Sequence, residues 1–106
     1  MNNVVSAKSN LIVPVPRETV QRWIARLNEH IIAANSVTNR STFADLSRAE
    51  INLHKARELF IILRDMNTLA NWQAVDEDMN RIESKILDIR RDKLMTVRYR
   101  QAKERK

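Results

Sequence analysis

The sequence predicts an all-α protein, an antiparallel three-helix bundle with long helices, and three observations carry that prediction. Glycine is absent and the only prolines are Pro14 and Pro16, so the chain beyond them has neither of the residues that usually punctuate sheets. Hairpins and bulges draw on glycine at positive φ, which argues against a sheet protein of this composition. Apolar residues recur three and four apart in three separate stretches, the spacing of helices buried along one face. A polar stretch at 35–40 and a slip in apolar register over 66–71 separate the three.

The elements follow in order. Residues 1–10 carry no periodic signal and read as a flexible lead. Residues 11–16 (LIVPVP) are apolar with alternate prolines, which hold φ and remove donors. That pattern predicts an extended N-terminal arm over 1–16, lying in a groove between helices. Pro16 suits the start of the first helix, and Glu18 complements the helix dipole there. Val20, Ile24, Leu27, Ile31 and Ala34 form its stripe, with Trp23 beside them. After Ala34 the stretch NSVTNR is a loop, with Asn35 in the terminal role glycine would otherwise fill.

The second helix begins at Ser41 or Thr42, where Thr42 followed by Asp45 resembles a capping box with Asp in place of Glu. Leu46, Ala49, Leu53, Ala56, Phe60 and Leu63 form its seam. Leu59, Ile62, Met66 and Leu69 widen the stripe toward the end, which predicts contact on two sides. A small slip in apolar register over MNTLAN predicts a turn before Trp72. Without that turn the second and third helices would fuse into one rod.

The third helix has two characters. Trp72, Val75, Met79, Ile82, Ile86 and Ile89 make a seam; the same register then falls on Lys93, Thr96, Arg100 and Lys103. Asn71 is placed to cap its start, Asp76, Glu77 and Asp78 come early, and Glu77 with Arg81 makes an i,i+4 pair. At 1.5 Å per residue the three helices would be roughly 27, 40 and 50 Å long, so the first cannot cover the other two. Uncovered apolar surface on the second and third predicts a homodimer or a partner protein.

Composition narrows the function classes. A chain of 106 residues has room for one core, so residues 17–97 form a single bundle domain. There is no Cys, which excludes disulfides, zinc–thiolate sites and thiol nucleophiles. No apolar run is long enough for a membrane span. Residues 11–15 are too short and too proline-interrupted for a signal peptide, and Arg17 and Glu18 follow; a cytoplasmic, intracellular location is expected.

Catalysis finds little support. His30 and His54 lie in no metal-ligand spacing, and His30 beside the first stripe reads as structural. Asp76, Glu77 and Asp78 project about 100° apart on a helix and cannot converge on one ion. A phosphate-cradling glycine loop cannot exist here. The expectation is a non-enzyme with no cofactor and no metal. Trp23 and Trp72 read as core anchors. An extended segment followed by two helices is the order of a ribbon-helix-helix protein, but LIVPVP lacks a polar face and carries prolines. A helix-turn-helix is no better matched, since 35–40 is long for its turn.

The strongest functional signal is the basic end. Residues 90–106 hold eight basic against two acidic residues, a surplus of six that equals the net charge of the whole chain. The candidate nucleic-acid-binding residues are Arg90, Arg91, Lys93, Arg98, Tyr99, Arg100, Lys103, Arg105 and Lys106. Arginine offers forked donors to phosphate, lysine adds point charge, and Tyr99 between two arginines can stack on an exposed base. Residues 98–106 are thus a basic C-terminal tail, and the expected function is that of a small accessory protein gripping DNA or RNA backbone without strong sequence specificity. The same residues also suit a solubilising helix end. Leu87, Leu94 and Val97 among the cations suit an anionic membrane surface or an acidic groove, and a helical adaptor or inhibitor is the alternative function.

Overall fold

The computed structural model describes residues 3–5 and 12–104, with side chains described from Val15 onward. Among the described residues three helices make up the fold: α1 (Arg17–Asn35), α2 (Phe43–Asp65) and α3 (Trp72–Glu104). Ahead of them two three-residue strands, β1 (Asn3–Val5) and β2 (Ile12–Pro14), pair antiparallel, with Asn3 opposite Pro14. Pro14 stands at the end of that short ladder, where its missing donor interrupts least. Part of the stretch read as a flexible lead is therefore paired strand; residues 1, 2 and 6–11 lie outside the described residues. Val15 is half-buried against the helical core.

One core runs through the three helices. Val20, Leu27 and Ala34 enter it from α1, Leu46, Ala49, Leu53, Ala56, Phe60 and Leu63 from α2, and Met79, Ile82, Ile86 and Ile89 from α3. All six seam residues of α2 are buried, as their spacing predicts. Ile24 and Ile31 are only partly buried, and Val37 in the α1–α2 loop is a core residue outside any helical stripe. Trp23 packs partly buried against the core, whereas Trp72 is 36% exposed and sits beneath the Arg64 guanidinium, 5.9 Å from its ring centroid. Trp72 begins α3 on the rim, so it is not the core anchor its position in the stripe predicts.

The helix ends are closed by three different devices. α2 opens on the predicted capping box: Thr42 Oγ1 accepts from Asp45 N at 3.1 Å and Asp45 Oδ2 accepts from Thr42 N at 2.9 Å. The backbone hydrogen bond from Thr42, together with Arg48 beside it, lowers the Asp45 pKa below its ordinary value. α2 closes with Asn67 at φ 56, the one positive-φ residue among those described, with Asn67 N donating to Arg64 O and Thr68 N to Leu63 O. That pair of bonds is the Schellman arrangement, and asparagine tolerates its left-handed residue better than most. It supplies the turn that keeps α2 and α3 separate.

α1 ends differently from expectation. Asn35 is its last helical residue and Ser36 caps it in right-handed geometry, with Ser36 Oγ donating to Ala33 O at 2.7 Å. α1 has no basic residue in its last turn; Lys85 of α3 supplies one, donating from Nζ to Asn35 O at 2.8 Å. A cation at that place meets both an orphan carbonyl and the negative end of the helix dipole. Arg81 likewise departs from the predicted pairing with Glu77 and pairs with Asp78 one turn away.

Cross-links order α2 against α3. Arg57 donates from Nη2 to Asn80 Oδ1 and to Glu83 Oε2, each at 3.2 Å, while Arg90 Nε donates to Glu50 Oε1 at 2.9 Å. Partners move toward the start of α3 as they move toward the end of α2. The chain extends over 69 × 25 × 20 Å. Much of that length is α3 itself, whose 33 residues span about 50 Å. No described helix is long and apolar enough to cross a membrane.

Candidate nucleic-acid interface at the end of α3

α3 leaves the bundle near Lys93. There Lys93 Nζ lies 5.3 Å from the ring centroid of Phe43, the first residue of α2, so the neighbouring helix ends at that level. Ile89 is the last buried residue of α3, Lys93 is half-buried, and residues 94–104 are all exposed. This projecting segment is roughly 16 Å long. Its helix persists without a core because its residues are mostly good helix formers, and Thr96 returns its hydroxyl to Asp92 O at 3.0 Å.

The candidate cations fall into different settings. Arg90 belongs to the bundle, ion-paired with Glu50 and within 3.4 Å of Ser47 Oγ. Its charge is already answered by the protein's own carboxylate. Arg91 pairs with Asp88 at 3.1 Å, one turn back on an exposed face. A pair so exposed is worth little and opens readily to a competing anion. Lys93 covers Phe43, and Lys103 lies 5.7 Å from the Tyr99 ring centroid. Among the described residues Arg98 and Arg100 enter no ion pair. Arg105 and Lys106 lie outside the described residues.

Helical geometry divides these groups between two faces. At 100° per residue, Lys93, Arg100 and Lys103 share one face, while Arg91 and Arg98 lie roughly 120° or more away. The first face continues the buried seam, and a shallow recess there is lined by Phe43, Ile89, Lys93, Val97 and Arg100. Tyr99 is exposed, with its ring open to stacking except where Lys103 lies over it.

Neither histidine sits near this end. His30 Nδ1 donates to Asn52 Oδ1 at 2.9 Å, a tautomer set by Asn52 Nδ2 donating to Arg48 O. That bond ties α1 to α2. His54 is exposed beside Glu58 on α2. Among the described residues no group of three His, Asp or Glu side chains comes together as a metal site.

Sequence spacing could not foresee two residues that shape this end. Glu50 and Phe43 meet Arg90 and Lys93 from 40 and 50 positions away in the chain, and nothing local marks them as partners. Phe43 directly after the Thr42 cap was the available hint, since an aromatic first residue on a helix needs a cover.

No protein-family model, no curated protein and no solved structure matches this chain.

Proposed function

We propose that the chain is a small non-enzymatic accessory protein that binds the nucleic-acid backbone through the projecting end of α3, without strong sequence specificity. In this reading the helices form an antiparallel bundle that pairs with a second copy through α2 and α3, and residues 98–106 are the binding tail. One observation carries it: residues 94–104 of the helix are all exposed and carry Arg98, Arg100 and Lys103 against the single acid Glu104. A cationic helix held away from its own carboxylates keeps its donors for phosphate, and the rigid bundle behind it holds them in a fixed array. Tyr99 adds a ring on which an unpaired base can stack.

The test is titration against duplex and single-stranded oligonucleotides at two salt concentrations. About four phosphate contacts give a slope near −3.6 in log affinity against log salt for duplex, on the order of a hundredfold loss between 50 and 200 mM. Removing residues 98–106 abolishes that salt-sensitive binding and leaves the helical signal of the bundle in place. Full binding by the truncated chain overturns the reading.

A second reading rests on Leu87, Leu94, Met95 and Val97, all exposed on α3. In it the chain is a helical adaptor or inhibitor that lays this apolar surface on another protein. The truncation separates the two, because it removes tail charges while leaving all four apolar residues.

A further inference from the structure

The exposed apolar residues of α3 belong to a face whose charge pattern names its own partner. Asn80, Glu83, Leu87, Leu94, Arg98 and Gln101 fall within about 60° of one another around the helix. Along that face the order is polar, acidic, apolar, apolar, basic, polar. Read backwards it becomes its own complement, with a midpoint between Leu87 and Leu94.

We propose that two copies of this chain pair antiparallel along this face of α3, with a two-fold axis passing beside Arg90 and Arg91. The proposal rests on the reading that the chain self-associates, and adds the surface and register. Residue i then lies opposite residue 181 − i of the second copy, a sum that follows from the midpoint. Leu87 meets Leu94, Glu83 meets Arg98 and Asn80 meets Gln101, each contact made twice, as an isologous interface requires.

The surroundings fit this register. Leu87 and Leu94 are 56% and 44% exposed within one chain, so each has apolar surface left to cover. Beside Leu87 a groove of about 250 Å³ opens between α2 and α3 over Leu53 and Ile86, and Glu50 and Glu83 are on its walls. Leu94 of the second copy comes to lie over that groove, with Arg98 one turn further on at Glu83. Glu83 has Arg57 on one side and keeps about half its side chain exposed, so it can accept a second guanidinium. The like charges nearest the axis, Arg90 and Arg91, are each already paired within their own chain, to Glu50 and Asp88. Lys93, Arg100 and Lys103 face the other way and stay free of the dimer.

Sedimentation equilibrium on the full chain and on charge-reversed variants tests the register, with circular dichroism to confirm folding. The parent chain is expected to be dimeric at micromolar concentration. Glu83→Arg and Arg98→Glu, taken singly, each set like charges opposite one another twice and weaken association on the order of tenfold or more. The double variant E83R/R98E restores it, and so does mixing the two single variants, which complement each other as a heterodimer. A parent chain that stays monomeric at about 100 μM overturns self-association altogether. A dimer indifferent to the single reversals, or one the double variant fails to rescue, overturns this register alone. Because the swap takes Arg98 from the basic end, oligonucleotide binding is read on the parent chain, where Arg100 and Lys103 stay free of the dimer.

Discussion

The two halves of α3 are one unbroken helix under opposite constraints. From Trp72 to Arg90 it is held on α1 and α2: Met79, Ile82, Ile86 and Ile89 are buried, Lys85 closes the end of α1, and Arg90 reaches Glu50. From Arg91 onward Lys93 lies over Phe43 at the start of α2, and residues 94–104 are exposed throughout. In the first half a basic side chain is a structural part; in the second it is available to a ligand. Net charge therefore misleads about function unless each cation is traced to what already holds it.

The largest expected effect is on the buried half. Ile86→Ala removes a side chain that is 1% exposed at the centre of the α2–α3 contact, and a truncation of that kind costs about 2–5 kcal/mol. Leu94→Ala on the projecting half changes monomer stability by under about 0.5 kcal/mol. Urea unfolding of both variants measures the contrast, and equal losses would erase it.

Deletion of residues 98–106 should act in the reverse sense. The helical signal of the bundle stays in place while oligonucleotide affinity at low salt falls on the order of a hundredfold. Loss of folding on deletion would mean that the second half supports the first.

Smaller effects sharpen the assignment of helix ends. Asn67→Ala forces alanine to φ 56 and costs about 1 kcal/mol, whereas Asn67→Gly preserves stability. Thr42→Ala removes the capping hydroxyl, again for about 1 kcal/mol. Because the Asp45 pKa is lowered in the folded chain, its share of stability is fully present above the ordinary carboxylate pKa. That share disappears as pH falls through the lowered value, and in Thr42→Ala the acid-side loss becomes shallower in a pH series of unfolding curves.

The smallest effect separates two arginines that sequence alone treats as equal neighbours. Arg91→Ala breaks an exposed i,i+3 pair, shifts stability by less than about 0.5 kcal/mol and weakens oligonucleotide binding. Arg90→Ala leaves binding unchanged, since its guanidinium already belongs to Glu50. Reversal of that order in a binding titration would place the interface on the bundle flank.

Much of this was legible from spacing. The seam of α2 is buried residue for residue, the Thr42 box forms, and Met79 through Ile89 carry α3 into the core. Where local pattern failed, a distant contact decided. Trp72 has the register of a core residue but stands where α3 begins, on the rim against Arg64, and keeps 36% of its surface exposed. Asn35 looks like a terminator, yet α1 is closed by Ser36 and by Lys85, fifty residues on. Asn67 carried a signal that spacing alone undervalued, since asparagine is among the few residues at ease with positive φ.

By itself the sequence determined that this is a helical protein, which faces of its helices are apolar, and that its surplus charge collects after Ile89, because periodicity and composition are properties of neighbours along the chain. Only the tertiary structure decided which of those charges are already neutralised and where α3 runs out of neighbours. Ion pairing and burial depend on distances between residues forty or fifty positions apart, and no local pattern encodes those distances.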